Sequence, residues 1–142
     1  MLLLLFLFIE DKIEVRDPLE SLDICHEMGG ICIFPHPPRY HDLNDEVTRE
    51  VLSKVDAIEI YNSHTLMRKD SIEFLKGFRK PFVAGSDAHV LSEVGLCRNI
   101  MRSSDEDEIK KEITSGIVRI EGKISIYYYF PFLGVLHFIN FN

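Results

Sequence analysis

The chain has 142 residues, enough for one domain, and 46% of them are hydrophobic, ample for a core. With 23 acidic residues against 16 Lys and Arg, the net charge is −7, which argues against a nonspecific nucleic-acid surface, because neutralising phosphates needs clustered cations. Small phosphorylated substrates are not excluded, since bound metal ions would supply local positive charge.

In chain order, Leu2–Ile9 is an unbroken apolar run followed by Glu10 and Asp11. It lacks the basic flank and small-residue cleavage site of a secretory signal, and eight residues are too few to cross a bilayer. A strand buried on both faces of a parallel sheet accounts for it. A chain that starts in the middle of such a strand reads as one whose earlier elements are missing. Asp17-Pro18 supplies a helix cap with Pro at the first helical position, and Gly29-Gly30 stops that helix. His26 falls within it and reads as a surface residue. Asn44 or Asp45 starts a second helix with Val47, Val51, Leu52 and Val55 as its apolar stripe. Ser71, Ile72, Phe74, Leu75 and Phe78 mark a third. Val90–Leu96 reads as a loop hinged at Gly95, Cys97–Met101 as a short strand, and Ile117–Ile120 as a last one. Between them, Asp105-Glu106-Asp107-Glu108 opens a helix whose dipole favours acid in its first turn. Cys25, Cys32 and Cys97 have no Cys-x-x-Cys spacing and read as reduced, buried thiols of a cytoplasmic protein.

Three apolar runs carry the chemistry. Phe82-Val83-Ala84 breaks at Gly85 and delivers Asp87 and His89, two residues apart. In an extended segment residues i and i+2 point the same way, so this carboxylate and imidazole can meet at one divalent metal such as zinc or manganese. Ile31-Cys32-Ile33-Phe34 ends at Pro35-His36-Pro37, and Ala57-Ile58-Glu59-Ile60-Tyr61 ends at Asn62-Ser63-His64. In sheets built from βα units, ligands and catalytic groups gather at the C-terminal ends of the strands. The expectation is that His36, Asp87 and His89 converge on one mouth. Alternation puts Glu59 and Tyr61 on the face opposite Ile58 and Ile60. A carboxylate inside a strand is either paired, metal-bound or solvated at the strand's end. In the loop after His36, Arg39 is a candidate for holding a phosphate oxygen.

Gly-Ser-Asp-Ala-His at 85–89, preceded by Ile-Phe-Pro-His-Pro at 33–37 and Ala-Ile-Glu-Ile-Tyr-Asn at 57–62, resembles the PHP family. These are the polymerase and histidinol phosphatase domains, metal-dependent phosphoesterases, and the likeness covers residues 17–120. It implies an α/β fold with mainly parallel strands, part of a distorted (β/α)7 barrel, and a two- or three-metal site of zinc, manganese or iron. It implies His36, Asp87 and His89 as metal ligands, with Glu59 and Asn62 as further mouth residues; His64, two residues past Asn62, is by its position the least constrained further candidate. The family opens with a strand ending in His-x-His, which these 142 residues lack. The chain therefore resembles a C-terminal portion, over residues 1–123, and hydrolysis of a phosphorylated small molecule or nucleotide would be weak without a second chain supplying the remaining ligands. The competing reading is a noncatalytic, partner-binding subunit.

The last stretch, 124–142, carries no charge and is crowded with aromatics. Its length reaches that of a membrane span, but Pro131, Gly134, His137 and Asn140 interrupt it. Packing on the protein, or on a partner, is the expected role.

Overall fold

The computed structural model describes residues 2–37 and 42–125. Arg39, His41 and residues 126–142 of the aromatic tail lie outside the described residues. Strands and helices alternate except between β4 and β5: β1 (Leu5–Leu7), α1 (Pro18–Glu27), β2 (Ile31–Phe34), α2 (Glu46–Lys54), β3 (Ala57–Asn62), α3 (Lys69–Lys76), β4 (Phe82–Gly85), β5 (Cys97–Ile100), α4 (Glu106–Ser115) and β6 (Arg119–Gly122). Three aspartates start helices. Asp17 accepts from the N–H groups of Leu19 and Glu20, Asp45 from Thr48, and Asp105 from Glu108, each cap stabilising its helix by about 1 kcal/mol. Gly116 closes α4 in the left-handed region, as a helix terminus favours.

The main sheet has the order β1-β2-β3-β4, with β2, β3 and β4 parallel. Both of its faces are covered. Cys32, Phe34 and Ile58 pack with Leu22 and Cys25 of α1, Val51 and Leu52 of α2, and Leu75 of α3. Their neighbours along the strands, Ile31, Ile33, Ala57 and Val83, pack with Ile113 of α4. This two-sided cover is why β2 reads as a continuous apolar run. All three cysteines are free and buried, and burial pushes the thiols of Cys25 and Cys32 up, away from reactivity.

Three expectations are corrected. The Leu2–Ile9 run is not a doubly buried parallel strand: β1 pairs antiparallel with β2 at the sheet's edge, leaving Leu5 43% and Leu7 36% exposed. An edge position covers such a strand from fewer sides than a central one. Val47, assigned to the apolar stripe of α2, is 42% exposed, and Thr48 is buried instead. The described residues form no closed barrel. β5 and β6 pair only with each other, antiparallel, as a separate two-stranded sheet.

That second sheet joins the first through a side chain. Asn99 on β5 accepts from the N–H of Ala84 at 2.9 Å and donates to the carbonyl of Ala84 at 2.8 Å. One amide thus stands in for a neighbouring strand at the outer edge of β4. Among the described residues no helix is long and apolar enough to cross a membrane.

Asn99→Ala should leave both groups of Ala84 without these partners. A loss of roughly 2 kcal/mol in urea unfolding is expected, from two half-buried backbone groups left unsatisfied. An unchanged unfolding midpoint would show that the two sheets are held together without this amide.

Candidate metal-binding mouth

Parallel pairing decides which residues can meet. Because β2, β3 and β4 run the same way, their C-terminal ends share one edge of the sheet. Phe34 aligns with Ile58, and Asn62 with Gly85. The register slips between Glu59 and Tyr61, a bulge that sets two residues of β3 against one step of β4. The bulge also separates the environments of Glu59 and Tyr61, which simple alternation grouped together: Glu59 is 5% exposed and Tyr61 53%. His36 follows β2, Asn62 ends β3, His64 follows it, and Asp87 and His89 follow β4. All of these lie at the same edge.

Glu59 connects the three strand ends. Its Oε2 accepts from the backbone N–H of His36 at 2.9 Å and from Nδ2 of Asn62 at 3.3 Å. Its Oε1 occupies the space that a side chain at Gly85 would need, 1.9 Å from where a Cβ would stand. Burial raises its pKa above the ordinary carboxylate range, and the charge of Asp87 adds to the rise. The hydrogen bonds from Asn62 and His36 offset only part of it.

His36 and Asp87 both have left-handed backbone, with φ of 27° and 50°. For residues other than glycine such conformations cost on the order of 1–3 kcal/mol and persist where the surroundings dictate them. His36 is buried, Asp87 half-buried and His89 exposed. His89 Nδ1 lies 2.7 Å from the carbonyl of Asp87, so we assign its proton to that nitrogen, which leaves the Nε2 lone pair available.

Glu93 is a residue that sequence reasoning missed. It lies in a short 3-10 turn, Leu91–Glu93, within the segment read as loop, and is 1% exposed. Oε2 accepts from the N–H groups of His89 at 2.8 Å and Val90 at 3.3 Å, and Oε1 from the hydroxyl of Ser125. Burial pushes the carboxyl up, but the hydrogen bonds from Ser125 and His89 and the nearby His64 ring outweigh burial and hold it below the ordinary range. His64 Nε2 stands 2.9 Å from Oε1, out of line for a hydrogen bond. The available signal was a carboxylate four residues after His89, placed to return to the backbone as a helix-capping residue does.

One ligand atom each from His64, His89 and Glu93 lie within 4.8 Å of one another. Among the described residues, His36 and Asp87 are not part of that group. His26, read as a surface residue, is at the other end of the sheet, 2.9 Å from Asp56, whose carboxylate also takes the N–H of Cys32 at the start of β2.

Two substitutions probe Glu59. Gly85→Ala should expel Oε1 from its position and destabilise the fold by about 1–3 kcal/mol, as overpacking does. Glu59→Gln tests the charge. A folded-state pKa raised above the unfolded value means that the group contributes stability below its unfolded pKa and loses it as pH rises through the folded one. In chelator-treated protein, the wild type should weaken over that interval and Glu59→Gln should not. The variant should be the more stable of the two at neutral pH in urea unfolding. A less stable variant would mean that the hydrogen bonds of the carboxylate outweigh its burial.

Residues 68–118 match the family model described as PHP-associated. No curated protein matches the chain. The matched stretch includes Asp87, His89, Glu93 and Asn99, whereas His36, Glu59 and His64 precede it. Over residues 68–118, from the turn before α3 to the turn before β6, the chain is similar to PHP-associated segments, which is consistent with a C-terminal PHP-associated portion.

Proposed function

We propose that this chain supplies part of a PHP-type metal-dependent phosphoesterase site, with His36, Asp87 and His89 as ligands to zinc, manganese or iron. The observation that carries the reading is the meeting of three parallel strand ends, each bearing imidazole or carboxylate, next to a PHP-associated segment. The residues fit such an ion chemically. His36 and Asp87 hold uncommon backbone conformations at the mouth, and His89 keeps a lone pair on Nε2.

When bound, the metal would supply Lewis acidity toward a phosphoryl group and lower the pKa of water. The chain's own residues do the positioning. Glu59 fixes the His36 loop through its N–H. The carbonyl of Asp87 sets the tautomer of His89. Asn62 donates to Glu59 and accepts from the N–H of His64 at 2.9 Å, so the ends of β2 and β3 and the start of the following loop are tied by hydrogen bonds. Arg39 is proposed to hold a phosphate oxygen of a small phosphorylated molecule or nucleotide, in the reducing cytoplasm that three free, buried cysteines suit.

Catalytic zinc sites use about three protein ligands per metal, so three ligands cannot fill a cluster of two or three ions. The chain alone should therefore hydrolyse an aryl phosphate poorly with added manganese or zinc. Turnover should rise when a homologous N-terminal PHP half, bearing His-x-His, is mixed in, and Asp87→Ala should abolish it. Robust turnover by the isolated chain would refute the need for a second polypeptide. Failure of the mixture, with both parts folded and associated, would refute the phosphoesterase reading.

A further inference from the structure

His64 and His89 follow different strands, yet their rings meet edge-on, with centroids 4.9 Å apart at 67°. A third donor lies beside them. Glu93 is buried to 1% exposure, and a carboxylate enclosed in this way calls for a cation or a dense set of hydrogen bonds. Its two oxygens are differently occupied. Oε2 is fixed by the N–H groups of His89 and Val90, while Oε1 faces His64 and takes the hydroxyl of Ser125. A carboxylate that ligates through one oxygen is commonly oriented in this way by hydrogen bonds to the rest of the group.

The spacing also suits an ion. His64 Nε2 is buried, makes no aligned hydrogen bond among the described residues, and stands 2.9 Å from Oε1. Two ligands at right angles, each about 2.1 Å from a metal, are about 3 Å apart. The tautomer assigned to His89 leaves Nε2 as its donor.

We propose that His64, His89 and Glu93 form a divalent-metal site taking zinc or manganese, distinct in two of its three ligands from the His36–Asp87–His89 set. It relies on the phosphoesterase reading only in sharing His89. Two imidazoles and a carboxylate make a three-ligand set that leaves a coordination position open. Because all three come from this chain, the isolated chain binds an ion whether or not it turns over substrate.

The test is titration of the full-length, ¹⁵N-labelled chain with zinc, following the histidine ring nitrogens by NMR and affinity by calorimetry. The ring signals of His64 and His89 should shift together. Glu93→Gln and His64→Gln should each weaken binding by at least ~10-fold, while His26→Gln leaves it unchanged. The wild-type shifts identify the ligands even if a variant folds poorly. Shifts at His36 and His89 with His64 unmoved would overturn this site and leave the phosphoesterase reading standing. Glu93→Gln binding as tightly as wild type would remove Glu93 as a ligand and with it the proposed site. Absence of zinc binding at millimolar concentration would also overturn the site, and the two-part phosphatase assay then judges the other reading separately.

Discussion

Glu59 is the constraint around which the mouth is arranged. A carboxylate in the middle of three parallel strand ends is expensive to bury, and the local sequence is shaped to accommodate it. Gly85 on β4 leaves the space that Oε1 occupies, and a side chain there would have to displace the carboxylate. The N–H of His36 is turned inward to meet Oε2, which ties the left-handed backbone at His36 to the carboxylate. Asn62 reaches back from the end of β3 to the same oxygen. Even so, burial keeps the carboxyl above its ordinary range, and Asp87 adds to the effect. The fold retains a local electrostatic cost at the edge where the histidines gather.

Away from the mouth the architecture follows from two-sided burial. β2 is apolar at every position because α1, α2 and α3 cover one face and α4 the other. Beyond β4 the parallel series stops. Asn99 satisfies Ala84 with a side-chain amide, and β5 with β6 then turns into an antiparallel ribbon. The ribbon returns the chain to the site. Ser125, just past β6, donates its N–H to the carbonyl of Ser63 at 2.8 Å and its hydroxyl to Glu93. Ser63 in turn donates to the carbonyl of Ser86. The loops after β3 and β4 and the segment after β6 are thereby fastened together.

Much of this was legible in the sequence wherever the cause is local. Asp17-Pro18, Asn44 or Asp45, and Asp105 marked three helix starts because a cap depends on a few adjacent residues, and the structure places the second cap at Asp45. The apolar runs 31–34, 57–61 and 82–84 marked the central strands, and with them the strand-end positions of His36, His64, Asp87 and His89. What was not legible depends on partners distant in the chain. The Leu2–Ile9 run has the composition of a doubly buried strand, but pairing with β2 placed it at an edge. The bulge at Glu59–Tyr61 changed which neighbours share a face, and no residue within β3 announces it. Glu93 was unreadable as part of a site because its partner His64 lies 29 positions earlier, and only the fold brings the loops into contact.

The two buried carboxylates of the mouth differ in a way that bears on its chemistry. Glu59 has two partners on one oxygen and a like charge nearby, and its affinity for a proton rises. Glu93 has donors on both oxygens, and its affinity for a proton falls. A carboxylate that binds a cation competes with the proton for it, and the surroundings of Glu93 weaken that competitor without a metal. Positive charge reaching the mouth would favour the anionic form of Glu59, since that charge offsets both its burial and the field of Asp87. Cation binding near Asp87 and ionisation of Glu59 are therefore linked, and the same carboxylate holds His36 in place by its backbone N–H. One buried side chain thus couples the electrostatics of the mouth to the conformation of the loop that carries its most enclosed imidazole.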